Sequence, residues 1–97
     1  MSIFLHPLAE QDLEEAASFY EREGSPAVAA RFLAEFYRVA KLLHANPGIG
    51  TPRTKGRRGF PTTGFPYTVI YRAYPADIHV LVVKHDRRRP DHGGGRS

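Results

Sequence analysis

The sequence predicts an α+β fold of element order β-α-α-β-β-β, with a helical hairpin packed on a small, mainly antiparallel sheet. Three observations predict it. Between Ala9 and Leu43 apolar residues recur at steps of three and four, broken once at Gly24-Ser25-Pro26. Beyond Gly48 the pattern changes to short β-branched and aromatic runs divided by Gly/Pro turns. The chain has 97 residues, 41% hydrophobic and 11% aromatic, which is enough for one folded domain and too little for two.

Each element has its own signal. "SIFLH" at the start is a short apolar run, read as a strand. Pro7 suits the first turn of the helix that follows. Ala9, Leu13, Ala16, Ala17 and Tyr20 make one face of that helix, and Glu10, Asp12, Glu14, Glu15 and Glu21 the other, until Gly24 ends it. Ser25 and Pro26 are an N-cap and a first-turn proline for a second helix. That helix carries Ala29, Phe32, Leu33, Phe36, Val39, Ala40 and Leu43 on one face and stops at Asn46-Pro47-Gly48. Two helices with so short a joint form an antiparallel hairpin. A basic Gly/Pro-rich loop, "PGIGTPRTKGRRG", leads into a weak strand at 57–60. "FPYTVIYRAY" (65–74) and "IHVLVVKH" (78–85) are the stronger strands, with "PAD" as the turn between them. The tail from about 90 to 97, "PDHGGGRS", is expected to fray.

Composition narrows the function. With no cysteine, the chain has neither a disulfide framework nor a thiol nucleophile nor a cysteine zinc site, which fits a reducing compartment. No run approaches the roughly 20 apolar residues of a membrane span, and the acidic N-terminal region does not read as a signal peptide, so the cytoplasm is the expected location. Charge is polarised along the chain. Residues 1–46 hold four Lys/Arg against seven Asp/Glu, net −3, and residues 47–97 hold ten against three, net +7. The basic half points to an anionic partner: nucleic acid, phosphate or an acidic protein segment. A DNA-reading module is disfavoured, because the helices are the acidic part. "GGG" at 93–95 precedes no helix and is no phosphate loop.

In order along the chain, "LAEQDLEEAASFY", "SPAVAARFLAEF", "ANPGIGTPR", "GFPYTVIYRA" and "IHVLVVKHDRRRPD" resemble the RelE/ParE toxins of bacterial type II toxin–antitoxin systems. The resemblance covers nearly the whole length and makes residues 1–97 a single toxin domain. It implies a cytoplasmic growth inhibitor silenced by a cognate antitoxin with an acidic C-terminal segment. It implies no cofactor and no metal. Two targets are open, because one fold hosts several activities. ParE-like members bind DNA gyrase; RelE-like members cut mRNA on the ribosome. A degenerate member would bind its antitoxin and nothing else.

The residues favour the ParE-like branch. RNA cleavage through the 2′-hydroxyl needs a proton acceptor, cations on the phosphate and an acid for the leaving oxygen. The arginine that follows the last strand in RelE-like sequences matches Arg87. Other charged positions of that branch fall on Thr68 and near Gly59 and Pro61, and its tail tyrosine falls on His92 or Gly93. His85 and Arg87 are the candidates for catalysis if the chain is a ribonuclease, although His85 reads more simply as a histidine capping the sheet. A His85/Asp91/His92 metal site has the right donors but lacks a further fixed ligand. Arg57, Arg58, Arg72, Arg87, Arg88 and Arg89 are the candidates for antitoxin or target binding. Arg53, Lys55, Arg57 and Arg58 on the loop and Arg87, Arg88 and Arg89 at the strand exit are two basic clusters that the fold could bring together.

Overall fold

The computed structural model describes residues 2–87 and 92–96. Strand β1 (Ser2–Leu5) leads into helix α1 (Pro7–Glu23) and then α2 (Pro26–Ala45). A two-residue strand β2 (Thr51–Pro52), absent from the sequence-based expectation, and a short 3-10 turn (Thr54–Gly56) precede β3 (Arg58–Pro61), β4 (Tyr67–Ala73) and β5 (Asp77–His85). The five strands make one mixed sheet of order β1-β5-β4-β3-β2, parallel only between β1 and β5. The other described pairs are antiparallel, so the expected fold class and element order hold.

Local chemistry explains the helix ends. His6 caps α1, its Nδ1 accepting the Leu8 N–H at 3.1 Å, and Pro7 follows at the first helical position. Ser25 caps α2 by accepting the Val28 N–H at 3.2 Å. The apolar faces of both helices meet one face of the sheet. Phe32, Phe36, Val39 and Leu43 are fully buried there against Val69, Tyr71, Ile78 and Val80. Tyr20, Phe32, Phe65 and Tyr67 add an aromatic cluster, with Phe32 5.3 Å from Phe65 and 5.1 Å from Tyr67 between ring centres.

Period-two alternation sends the remaining strand residues to the opposite, outer face. Ile70, Leu81 and Val82 form a second, smaller apolar cluster there. Register explains how Leu81 and its neighbour Val82 both join it. Ile70 pairs with Val82 and Tyr71 with Val80, so Leu81 is the extra residue of a β-bulge.

Residues 92–96 of the tail form a turn segment lying on the outer face. Gly93 takes φ 78°, and a Cβ there would collide with a Val82 methyl. A side chain at this position would lift the tail off the apolar cluster.

Glu35 ties α2 to the turn between β3 and β4. It accepts from Arg38 Nε and Nη2 at 2.7 Å each and from the Thr63 N–H at 2.7 Å. The Arg38 guanidinium beside it, opposed by partial burial, holds the carboxyl below its ordinary value of 4.5.

Two stability experiments follow from this packing. Phe36→Ala empties a site with no solvent exposure and is expected to cost about 3–5 kcal/mol in urea denaturation; an unchanged midpoint would remove Phe36 from the core. For Glu35 the depressed folded pKa fixes the sign: its contribution is complete above the ordinary value of 4.5 and is lost as pH falls through the lower folded value. Glu35→Gln should therefore flatten the acid limb of a stability–pH profile, and a limb of unchanged slope would contradict the assignment.

Candidate functional site

The sequence-based candidates divide between the two faces of the sheet. His85 ends β5 on the helix side. Its ring meets Tyr67 edge-on at 5.1 Å, and its Nδ1 accepts the Arg87 N–H at 3.1 Å. It lines a cleft of about 250 Å³ with Asp12, Glu15, Phe19, Arg22 and His92. Next to it Asp86 accepts the Thr68 hydroxyl at 2.8 Å and donates its N–H to the Pro66 carbonyl at 2.9 Å. These contacts close the strand exit as a turn. Arg87 is exposed there. Arg88, Arg89 and Asp91 lie outside the described residues, so the strand-exit arginine cluster and the His85/Asp91/His92 grouping are without a structural description. Among the described residues no group of three or more His, Asp or Glu side chains could hold a metal ion.

The loop arginines part company. Arg58 donates to the Gly48 and Gly50 carbonyls at 3.2 and 2.9 Å and fastens the loop that leaves α2. Arg57, one residue earlier, takes the outer face and is 7% exposed. It donates to the Gly93 and Gly94 carbonyls at 3.0 and 3.4 Å and also to the Arg96 carbonyl. Its Nε is buried with no hydrogen-bond partner among the described residues. Arg72 donates to the Lys55 carbonyl at 2.8 Å. The Arg53 side chain lies over Gly59, where a Cβ would come within 3.0 Å of Arg53 Cδ.

Arg53, Lys55 and Arg57 thus line an outer-face cleft of about 290 Å³ together with Ile70 and His92. Burial and the neighbouring Arg72, Arg96 and Arg53 guanidiniums lower the Arg57 pKa from its ordinary value, yet an arginine remains charged at neutral pH. The basic cluster of the loop is therefore real as a cluster, with Arg72 and Arg96 in it and Arg58 outside it.

A site that the sequence did not suggest sits on the edge of the sheet. β1 pairs with β5 only from Asp77 to Val80, which leaves the far half of β5 without a strand on that side. Asp12 of α1 and Arg96 of the tail take the strand's place. Asp12 Oδ2 accepts the Val83 N–H at 3.1 Å, and Arg96 Nη1 donates to the Leu81 carbonyl at 3.1 Å. The two side chains pair with each other at 2.5 Å, both about nine-tenths buried. His92 Nε2 stands 3.6 Å from Asp12 Oδ1. This is how an otherwise open edge is blocked. Asp12 and Arg96 are 84 residues apart, and nothing in local spacing announces the pair.

Comparison with known proteins fits this geometry to a family. The family model for the ParE toxin of the type II toxin–antitoxin system parDE matches residues 3–90. The chain belongs to the ParE toxin family. Among solved structures it is similar to a chain of the chromosomal ParDE toxin–antitoxin system from P. aeruginosa, at a TM-score of 0.77 and 24% identity over 88% of this chain and 95% of that one. At that identity the likeness speaks for the fold. No curated protein sequence matches. The helical hairpin on a five-stranded sheet is thus a ParE toxin fold, and no described helix of this ParE-family chain is long and apolar enough to cross a membrane.

The edge block can be tested directly. Asp12→Ala leaves the Val83 N–H without its acceptor and Arg96 without its counter-ion. It should cost about 1–3 kcal/mol of stability and speed exchange of the Val83 amide hydrogen. Unchanged protection at Val83 would show that Asp12 does not guard the edge.

Proposed function

We propose that this ParE-family chain is a growth-inhibiting toxin that acts in the cytoplasm, is neutralised by a cognate antitoxin, and works by binding DNA gyrase, without catalysis. The observation that carries the proposal is the separation of the groups that RNA cleavage would need. The strand-exit histidine, His85, lies on the helix side against Tyr67, whereas the arginine cluster lies on the outer face. The loop arginines therefore lie away from His85, whose neighbours Arg22 and Arg87 are the cations on its own side. The antitoxin is expected to bring an acidic segment to the half of the chain that carries net +7, where long-range attraction would speed encounter. Arg57, Arg58, Arg72, Arg87, Arg88 and Arg89 are the residues proposed to meet such a segment or the target.

A RelE-like mRNA endonuclease is the second reading, and one observation gives it a definite form. His92 borders both clefts, that of His85 and that of the outer arginines. The test is expression with and without the antitoxin, followed by separate measurements of gyrase supercoiling and of mRNA cleavage in a translating extract. Growth arrest relieved by the antitoxin, lost supercoiling and intact mRNA are the expected results. Ribosome-dependent cleavage that disappears in His92→Ala or His85→Ala would establish the endonuclease instead. General acid–base groups typically contribute about 10²–10⁴-fold, so the loss would be unmistakable.

A further inference from the structure

The outer face carries a transverse row that joins exposed aromatic rings to the loop arginines. Its members follow from strand register. Phe4 of β1 pairs with His79 of β5, and His79 pairs with Arg72 of β4. Arg58 pairs with Tyr71, so Arg57 stands opposite Arg72; Pro52 pairs with Arg58, so Arg53 stands opposite Arg57. The Arg53 N–H donates to the Arg57 carbonyl at 2.8 Å, which extends the ladder to that pair. Directly opposed residues share a face. The row therefore reads Phe-His-Arg-Arg-Arg across all five strand positions of the sheet.

The two ends of the row differ in chemistry. At one end the rings of Phe4 and His79 meet at 5.2 Å, and Tyr74 lies 4.5 Å from His79 on its other side. Phe4 is 50% exposed and Tyr74 42%. At the other end are three guanidiniums, whose described side-chain hydrogen bonds all go to backbone carbonyls and none to a carboxylate. Neutral acceptors leave the charge in place, and a buried Arg57 Nε has no partner among the described residues. Like charges gathered without a counter-ion favour an anion. Solvent-exposed rings beside them favour a flat apolar group on the same ligand.

We propose that this row binds single-stranded nucleic acid, with a base stacked on Phe4, His79 and Tyr74 and the adjoining phosphodiesters on Arg72 and Arg53, while Arg57, buried beneath the tail, adds its charge from below. An aromatic platform next to a cationic track is the arrangement that holds single strands with little sequence preference. An acidic peptide would satisfy the arginines and leave the rings unused. This activity goes beyond the toxin reading and is binding alone, with no bond made or broken.

Fluorescence anisotropy with an oligothymidylate of about 12 nucleotides, a length within the span of one binding face, tests it on the full chain. A DNA probe keeps the result independent of any RNA cleavage. Phe4→Ala should weaken binding roughly 5- to 150-fold, the effect of losing one stacked base. Arg53→Gln with Arg72→Gln should lower the slope of log affinity against log salt by about 1.4, at about 0.7 for each phosphate no longer neutralised. Circular dichroism melting of each variant separates loss of binding from loss of fold, and half-exposed Phe4 is the variant least able to disturb the core. Wild-type affinity in both variants would overturn the proposal. So would equal binding of polyglutamate with no effect of Phe4→Ala, which would make the row an acidic-protein surface. Because no antitoxin or gyrase enters the assay, its outcome is independent of the toxin's target.

Discussion

Much of the structure depends on one hydroxyl. Tyr71 is fully buried near the middle of β4, and its Oη accepts the Gly50 N–H at 3.0 Å and donates to the Pro47 carbonyl at 2.7 Å. A buried phenol needs such partners, since an unpaired polar group in a core costs about 1–3 kcal/mol. Here the partners belong to the loop that leaves α2. A Cβ on Gly50 would fall within 2.5 Å of that oxygen, so the approach demands glycine. The core thereby fixes the loop's first residues, Arg58 fixes them again from β3, and the chain is delivered to β2 in register. Where Arg53 and Arg57 end up is decided by the packing of a tyrosine.

Face assignment is the second constraint, and it comes from alternation plus one irregularity. Without the bulge, every second residue of β5 would continue to face the helices. The extra residue, Leu81, turns a two-residue stretch toward the outer face, where Ile70 meets it. An apolar patch on an otherwise solvated sheet face needs a cover, and Gly93 lies over Val82. The tail that supplies this cover also supplies Arg96 for the edge of β5. One short segment thus answers two problems that a small sheet poses, an exposed patch and an unpaired edge.

These features mark how far the sequence was legible. Both helices could be read, because their apolar periodicity and the Ser25-Pro26 start act locally. Strands β4 and β5 were legible for the same reason. Strand β2 was not, since two residues of a Gly/Pro-rich loop carry no period. Neighbouring Arg57 and Arg58 were read as one basic patch. Period-two geometry sends them to opposite faces, a signal that was present and unused. That the Arg53 side chain lies over Gly59 was not legible, because a one-dimensional reading counts residues by position and cannot see a side chain arriving from elsewhere. Glycine and charge are the usual composition of a frayed end, and nothing local in the tail announces the contact of Arg96 with Asp12, 84 residues away.

The charge asymmetry of the chain acquires a spatial meaning from this arrangement. The acidic first half becomes the helical layer, and most of the basic second half becomes the sheet and its outer face, so the charge divides across the thickness of the domain. The exception is the edge of β5, where Asp12 from the acidic layer and Arg96 from the basic tail meet in a pair about nine-tenths buried. A buried pair broken by removing one member leaves an uncompensated charge, which is more costly than either charge exposed. That makes the edge the place where the two layers are coupled. A ligand that drew Arg96 toward the outer face would strip Asp12 of its partner and loosen the block on Val83 and Leu81 together.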